Sequence, residues 1–153
     1  MALSKMRRLI EALLTVLMFV GCGGKTKPLP PEQRARMEKL SQELRQALGA
    51  KYDEPVPAAT PAQLRRGSEL FAELCAGCHG ARGDGKVEHP DVLLQQPSNF
   101  TDPAQATFFS EQTRLHFIRQ GIPGTAMMGW AEVLPEADIL AIYTYVRYLY
   151  KHE

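Results

Sequence analysis

The chain has 153 residues, with 18 Lys and Arg against 17 Asp and Glu, a formal net charge of +1 and 44% hydrophobic residues. This length and composition fit one small globular domain and exclude a second enzyme-sized domain. The balanced charge gives no electrostatic reason to expect nucleic acid as a partner. Three cysteines cannot pair without leaving one over, so each needs its own explanation.

Residues 1–21 have the layout of an export signal. Three basic residues among the first eight precede an apolar run over residues 12–20, which is too short to cross a hydrocarbon core of about 30 Å. The end of this run resembles a bacterial lipobox, with Phe19 where leucine is commonest. The resemblance implies cleavage before Cys22 and lipidation of its sulfur, which would anchor the chain at a membrane surface in the cell envelope. An uncleaved anchor and a plain signal peptide are the alternatives.

Residues 22–60 are predicted to be a tether that contains one short helix. Residues 23–31 hold two glycines and three prolines, and residues 51–61 hold three more prolines, which favours extended and solvated chain. Between these stretches, apolar residues recur every three or four positions over residues 32–48, which predicts an amphipathic helix. That helix either packs loosely on the domain or serves as a docking surface for a partner.

Residues 61–153 are predicted to form a helical domain. Its first helix begins with a capping box at residues 60–63 and runs directly into Cys75-Ala76-Gly77-Cys78-His79. A second helix is predicted to begin at Ser110, and a last one follows Pro135. The pentapeptide at the end of the first helix is the strongest functional signal in the chain.

The pentapeptide has the spacing that covalent haem attachment requires. Cys75 and Cys78 lie on one side of a helical turn, so both sulfurs can reach the vinyl groups of one haem, and His79 presents its imidazole to the iron. The alternatives are a redox-active dithiol, half of a zinc site or a chance match. A dithiol motif usually opens a helix, whereas this one closes a helix, and structural zinc needs a second pair of ligands. We therefore expect one covalently bound haem c per chain.

From residue 62 to residue 150 the chain resembles class I c-type cytochromes, which are small monohaem electron carriers. Besides the pentapeptide, the matching features are Gly67 and Phe71 in the first helix, Tyr145 in the last helix and a glycine-rich turn at residues 80–85. The resemblance implies an all-α, small cytochrome c fold in which three or more helices surround one haem. It also implies that the first and last helices cross where Gly67 meets Tyr145.

The same resemblance places the second axial ligand of the iron in residues 121–127. Glycines and a proline there form a loop that can approach the porphyrin, and a thioether is a soft ligand suited to iron. Met127 follows a threonine and one small residue, as in the family, and is expected to be the ligand in preference to Met128. The alternative is that both methionines fill the core, while the sixth position is empty or is held by His89 or His116.

Two further residues are expected to contact the haem or its ligand. A histidine bound to iron usually donates its second N–H to a fixed acceptor, for which the family uses a proline carbonyl. Pro97 is expected to supply this carbonyl, with Pro90 as the alternative. Trp130 either donates its indole N–H to a haem propionate or is an ordinary core residue.

These features predict an electron-transfer protein and not an enzyme, because iron with two protein ligands has no open position for oxygen or peroxide. The expected function is to carry single electrons between respiratory redox partners, from a membrane surface that faces the periplasm or the exterior. One alternative is a fixed haem subunit of a larger respiratory oxidoreductase. Another, if the methionine ligand is labile, is a ligand-binding or peroxidatic haem protein.

Overall fold

The structure, a computed structural model, describes residues 30–87 and 96–151. The predicted export signal, Cys22, His89 and Pro90 lie outside these ranges, so their assignments stay predictions. Within them, no helix is long and apolar enough to span a bilayer.

The regular structure in the described ranges is helical, which confirms the predicted all-α class. The helices are α1 (Pro31–Leu48), α2 (Pro61–Leu70), α3 (Ala76–His79), α4 (Pro103–Ala106), α5 (Glu111–Gln120) and α6 (Glu136–Lys151). A 3₁₀ turn, Gly49–Asp53, follows α1, and a π-helical turn, Phe71–Cys75, joins α2 to α3. Single π-helical turns inside helices are frequent at functional sites, and this one ends on the first cysteine of the pentapeptide.

The helix starts follow from local sequence, as predicted. The Thr60 hydroxyl accepts a hydrogen bond from the Gln63 main-chain N–H (3.2 Å), and the Gln63 side chain accepts one from the Thr60 N–H (2.9 Å), which completes the capping box of α2. The Ser110 hydroxyl likewise accepts from the Thr113 N–H at 3.2 Å and caps α5. The predicted helix over residues 32–48 is confirmed as α1.

Helices α2 and α6 cross in direct backbone contact. A Cβ atom added to Gly67 would lie 2.0 Å from the Ala141 carbonyl oxygen and 2.9 Å from the Tyr145 Cβ atom. Only glycine allows the two backbones to approach so closely. The Phe71 ring lies one turn further along, with its centroid 5.4 Å from that of Tyr145. The crossing that the resemblance implied is therefore present.

The hydrophobic core lies among α2, α5, α6 and the chain that precedes α2. Its buried members are Val56, Leu70, Phe71, Leu115, Ile118, Ile139, Ile142, Tyr143 and Val146. Half-buried side chains that pack against this cluster include Cys75, Met127 and Trp130. The core thus positions residues from three separate parts of the predicted haem site.

The prediction that residues 51–61 form a solvated linker is wrong for residues 52–57, which we call the proline segment. Tyr52 and Val56 are each 5% exposed. Prolines restrict the backbone, but they do not prevent the apolar side chains between them from packing. Residues 52–57 therefore pack with the domain and are not part of the predicted tether.

Two charged side chains hold the proline segment. The Arg147 guanidinium donates to the carbonyl oxygens of Val56 (2.7 Å) and Pro57 (2.6 Å), while the Val56 N–H donates to the Glu111 carboxylate at 2.8 Å. Arg147 is 9% exposed, and it pairs with Glu111 at 3.3 Å. This arrangement satisfies the buried main-chain groups of the segment, as burial requires.

Helix α1 reaches the domain through its C-terminal half. Leu44 is its buried residue. The Ser41 hydroxyl and the Tyr52 hydroxyl share a hydrogen bond of 2.9 Å, and the Arg45 guanidinium lies 4.1 Å from the centroid of the Tyr52 ring. The helix is thus joined to the domain through the proline segment, and most of its surface is exposed.

Candidate haem site

The two cysteines of the pentapeptide lie in consecutive elements: Cys75 ends the π-helical turn, and Cys78 lies in α3. Cys75 is half-buried against the core, Cys78 is exposed, and neither forms a disulfide within the described residues. Burial, with a smaller effect from Cys78, raises the pKa of the Cys75 thiol to about 11. Reactive dithiols have lowered thiol pKa values, so the environment of Cys75 argues against the dithiol alternative.

His79 ends α3 and is half-buried. Its Nδ1 atom is inaccessible to solvent and has no hydrogen-bond partner among the described residues. Burial lowers the pKa of His79. The main chain of Ser98, which lies beside the ring, raises this pKa by a smaller amount, although it has no well-oriented hydrogen bond to Nδ1. A neutral imidazole is the form that binds metal ions, and buried polar atoms without partners are rare enough to need an explanation.

The segment that contains Pro97 does reach His79. Ser98, the next residue, provides the main chain beside the imidazole. The assignment of the hydrogen-bond acceptor to Pro97 itself stays a prediction.

An aromatic side chain that was not predicted from the sequence lies against His79. The ring of Phe100 stacks on the His79 imidazole, with centroids 4.6 Å apart and planes inclined by 24°. Two main-chain hydrogen bonds bring these segments together: Gly85 N–H to His79 O (2.9 Å) and Phe100 N–H to Gly83 O (2.7 Å). The sequence shows an aromatic residue, Phe100, shortly after Pro97. Its partner, His79, lies 21 positions earlier, so their spacing does not predict the contact.

The methionine loop begins where α5 ends. Gly121 has a φ of 75°, and a Cβ atom there would lie 2.5 Å from the Met127 carbonyl oxygen. Glycine is therefore required both for the left-handed backbone and for the close approach. The Ile122 N–H donates to the same Met127 oxygen at 2.9 Å, which closes the loop.

The two adjacent methionines have different surroundings. The Met127 N–H donates to the Thr125 hydroxyl at 3.1 Å, and its side chain packs against the core cluster that Cys75 also contacts. Met128 is 63% exposed. This difference favours Met127 as the thioether ligand, as the resemblance implied.

The structure gives the surroundings of Trp130 and His116, the remaining candidates. The Trp130 ring packs on the core, and its main-chain N–H donates to the Ile118 carbonyl at 3.0 Å; its contact with a propionate stays a prediction. His116 lies half-buried in α5, where burial, together with the charge on Arg119, lowers its pKa.

The donor set as a whole fits a covalently attached haem. It comprises two cysteine sulfurs separated by two residues, a half-buried imidazole, and a thioether from a hydrogen-bonded loop. Both Cys75 and Met127 contact the same hydrophobic cluster. An apolar setting with soft sulfur and imidazole donors is suited to haem iron.

The helical fold and this attachment turn define a c-type cytochrome domain. The profile of the family described as cytochrome C oxidase, cbb3-type, subunit III matches residues 62–146, more than half of the chain. The chain belongs to this family. Its domain therefore carries covalently bound haem c with its iron.

A solved structure with a similar fold is the reducing HAO-like protein complex Kustc0457/Kustc0458 of Kuenenia stuttgartiensis. The TM-score is 0.50 at 19% sequence identity, over 65% of this chain and 48% of that chain. At this identity the likeness concerns the fold alone, and the chain spans about half the length of its structural relative. No curated protein sequence matches the chain significantly.

Proposed function

We propose that the chain is a lipid-anchored electron carrier whose haem iron is held between His79 and Met127. The observation that carries this proposal is the contrast between the adjacent methionines: Met127 packs into the core that Cys75 contacts, whereas Met128 is 63% exposed. His79 follows Cys78 directly at the end of the attachment turn, which supports the other half of the ligand pair.

The residues of the chain would hold the haem and tune it. When attached, the haem supplies an iron that accepts and releases one electron. Cys75 and Cys78 would hold the haem through their sulfurs, His79 and Met127 would supply the two protein ligands of its iron, and a thioether ligand would favour the ferrous form relative to a second histidine. The Ile122 N–H closes the loop that carries Met127, and the Met127 N–H is bonded to the Thr125 hydroxyl, so the backbone of the loop is restrained.

Carbon monoxide distinguishes a carrier from a ligand-binding or peroxidatic haem protein. Reduced wild-type protein is expected to keep its low-spin spectrum when carbon monoxide is added, because both axial positions are filled. Rapid formation of a carbon monoxide complex at neutral pH would overturn the carrier proposal and would favour gas binding or peroxide chemistry.

The proposed location is a membrane surface that faces the periplasm or the exterior. The pattern that ends in Cys22 supports it, because lipid chains on an exported cysteine anchor a protein stably. Wild-type protein is expected in the membrane fraction and to incorporate labelled fatty acid, and Cys22→Ala is expected to lose the label. Equal labelling of both proteins would contradict lipidation at Cys22.

A fixed haem subunit of a larger oxidoreductase is the second candidate, and the family description, which names an oxidase subunit, favours it. In that case the exposed surface of α1 would be the docking element, joined to the domain through Tyr52 and the proline segment. Stoichiometric copurification of partner proteins, lost when residues 31–48 are deleted, would support this candidate. Purification of the intact chain alone from solubilised membranes would support the carrier.

A further inference from the structure

A continuous series of ring contacts runs from the ligand histidine to the helix crossing. His79 stacks on Phe100, the Phe100 ring meets the edge of Phe71 at a centroid distance of 6.3 Å and an angle of 70°, and Phe71 meets Tyr145 at 5.4 Å. Phe71 is 1% exposed, so the middle of the series is fixed in the core. The imidazole is thus connected through two rings, Phe100 and Phe71, to Tyr145 at the crossing of α2 and α6.

The main chain around Phe100 is fixed on both sides. Its N–H donates to the Gly83 carbonyl at 2.7 Å. The Asn99 side-chain oxygen accepts from both the Thr101 N–H (2.8 Å) and the Thr101 hydroxyl (2.7 Å). A ring on a backbone held in this way has little freedom to turn away from its neighbour.

A single bond to iron does not by itself fix an imidazole, because the ring can rotate about that bond. A hydrogen bond from the second ring nitrogen usually removes this freedom. In this chain the main chain of Ser98 lies beside the His79 ring, but Nδ1 has no well-oriented hydrogen bond among the described residues. The nearly parallel face of Phe100 is a further contact that restricts rotation of the imidazole.

We propose that Phe100 is a positioning residue that sets the orientation of the His79 imidazole plane relative to the haem, with Phe71 as the support behind it. The inference rests on the proposed function, in which His79 is an axial ligand. It assigns to residue 100 a role in tuning the redox site that is separate from filling the core. Leucine would fill much of the same space, but it has no flat face.

The test compares Phe100→Leu and Phe100→Tyr in the haem-containing protein. The readout is the spread of the four haem methyl resonances in the proton NMR spectrum of the oxidised protein, which depends on the orientation of the axial ligand planes. Reduction potential and thermal midpoint are measured on the same samples. Phe109→Leu is the matched control, because that ring packs at 5.0 Å against Phe108 and Phe117, in a separate aromatic group.

The proposal predicts that Phe100→Leu changes the methyl spread several-fold more than Phe109→Leu does, while both variants lower the thermal midpoint. Phe100→Tyr, which keeps the flat face, is expected to restore the wild-type spread. If Phe100→Leu does not accumulate, Phe100→Met, also without a ring, takes its place under the same expectation.

A wild-type methyl spread in the folded ringless variant would overturn the positioning role. That failure is distinguishable from failure of the proposed function. Wild-type reduced protein with His and Met ligands shows the strongly shifted methionine methyl signal of a bound thioether, and its absence would overturn the ligand pair itself, whatever residue 100 does.

Discussion

At the scale of single residues, Arg147 carries the attachment of the proline segment. It donates to the carbonyl oxygens of Val56 and Pro57 and pairs with Glu111. Arg147→Ala is expected to lower the free energy of unfolding by about 3 kcal/mol, because it leaves a carboxylate and two carbonyl groups without their partner. Trypsin is also expected to cleave faster after Lys51, where the released segment begins.

Urea denaturation and limited proteolysis measure these two effects. Arg34→Ala is the matched control, since Arg34 forms an exposed pair with Glu38 at 2.9 Å that contributes less than about 1 kcal/mol. Equal losses in Arg147→Ala and Arg34→Ala would contradict the role assigned to Arg147.

The carboxylate of the same pair makes stability depend on pH. Partial burial acts to raise the pKa of Glu111, but the Val56 N–H and the charges on Arg147 and Arg114 outweigh it, so the pKa lies below the ordinary value of 4.5. A lowered folded-state pKa means that the stabilisation is present above about pH 4.5 and is lost as pH falls through the folded value.

Denaturation of wild type and Glu111→Gln at neutral pH and near pH 3 tests this dependence. The stability advantage of the wild type over Glu111→Gln is expected to shrink at the lower pH. An advantage that stays constant would show that the Glu111 carboxylate is not the titrating group.

The residues of the haem site could be predicted where they lie close together in the sequence. Cys75, Cys78 and His79 lie within five positions, so their common turn can be read from spacing. Phe100 and Ser98 reach His79 through a fold-back of the chain, which depends on main-chain hydrogen bonds at Gly83 and Gly85. No spacing in the sequence encodes such contacts, and they had to come from the structure.

At the scale of elements, the crossing of α2 and α6 depends on the absence of a side chain at residue 67. Gly67→Ala would place a Cβ atom 2.0 Å from the Ala141 carbonyl oxygen. The helices must separate to accept it, and the free energy of unfolding is expected to fall by about 3 kcal/mol.

Arg65→Ala, at an exposed position of the same helix, is the matched control in thermal unfolding of the haem-containing protein. Surface substitutions of this kind change the free energy of unfolding by no more than about 0.5 kcal/mol. An unchanged melting temperature in Gly67→Ala would show that the crossing tolerates a side chain and would contradict the close contact.

Helix boundaries were predicted well because capping is a local property. Thr60 and Ser110 supply the expected caps. The proline segment was predicted wrongly because its burial depends on Glu111 and Arg147, which lie more than 50 positions away. The sequence feature that indicated this packing was Arg147, a charged residue within the apolar pattern of the last helix.

At the scale of the whole molecule, the haem is expected to be part of the core. About 90 residues form a marginal core alone. A porphyrin buries several hundred Å² of apolar surface at about 25 cal/mol per Å². The Cys75→Ala, Cys78→Ala double variant is therefore expected to be largely unfolded and to melt without cooperativity by circular dichroism. A cooperative melt near that of the wild type would contradict this expectation.

The central claim, that the iron lies between His79 and Met127, is tested most directly by optical spectra of paired methionine variants. Met127→Ala is expected to lose the sulfur-to-iron charge-transfer band of the oxidised protein and to bind carbon monoxide when reduced. Met128→Ala, altered at the exposed neighbour, is expected to keep the band and to ignore carbon monoxide. The account is contradicted if Met127→Ala retains both wild-type properties, or if Met128→Ala is the variant that loses them.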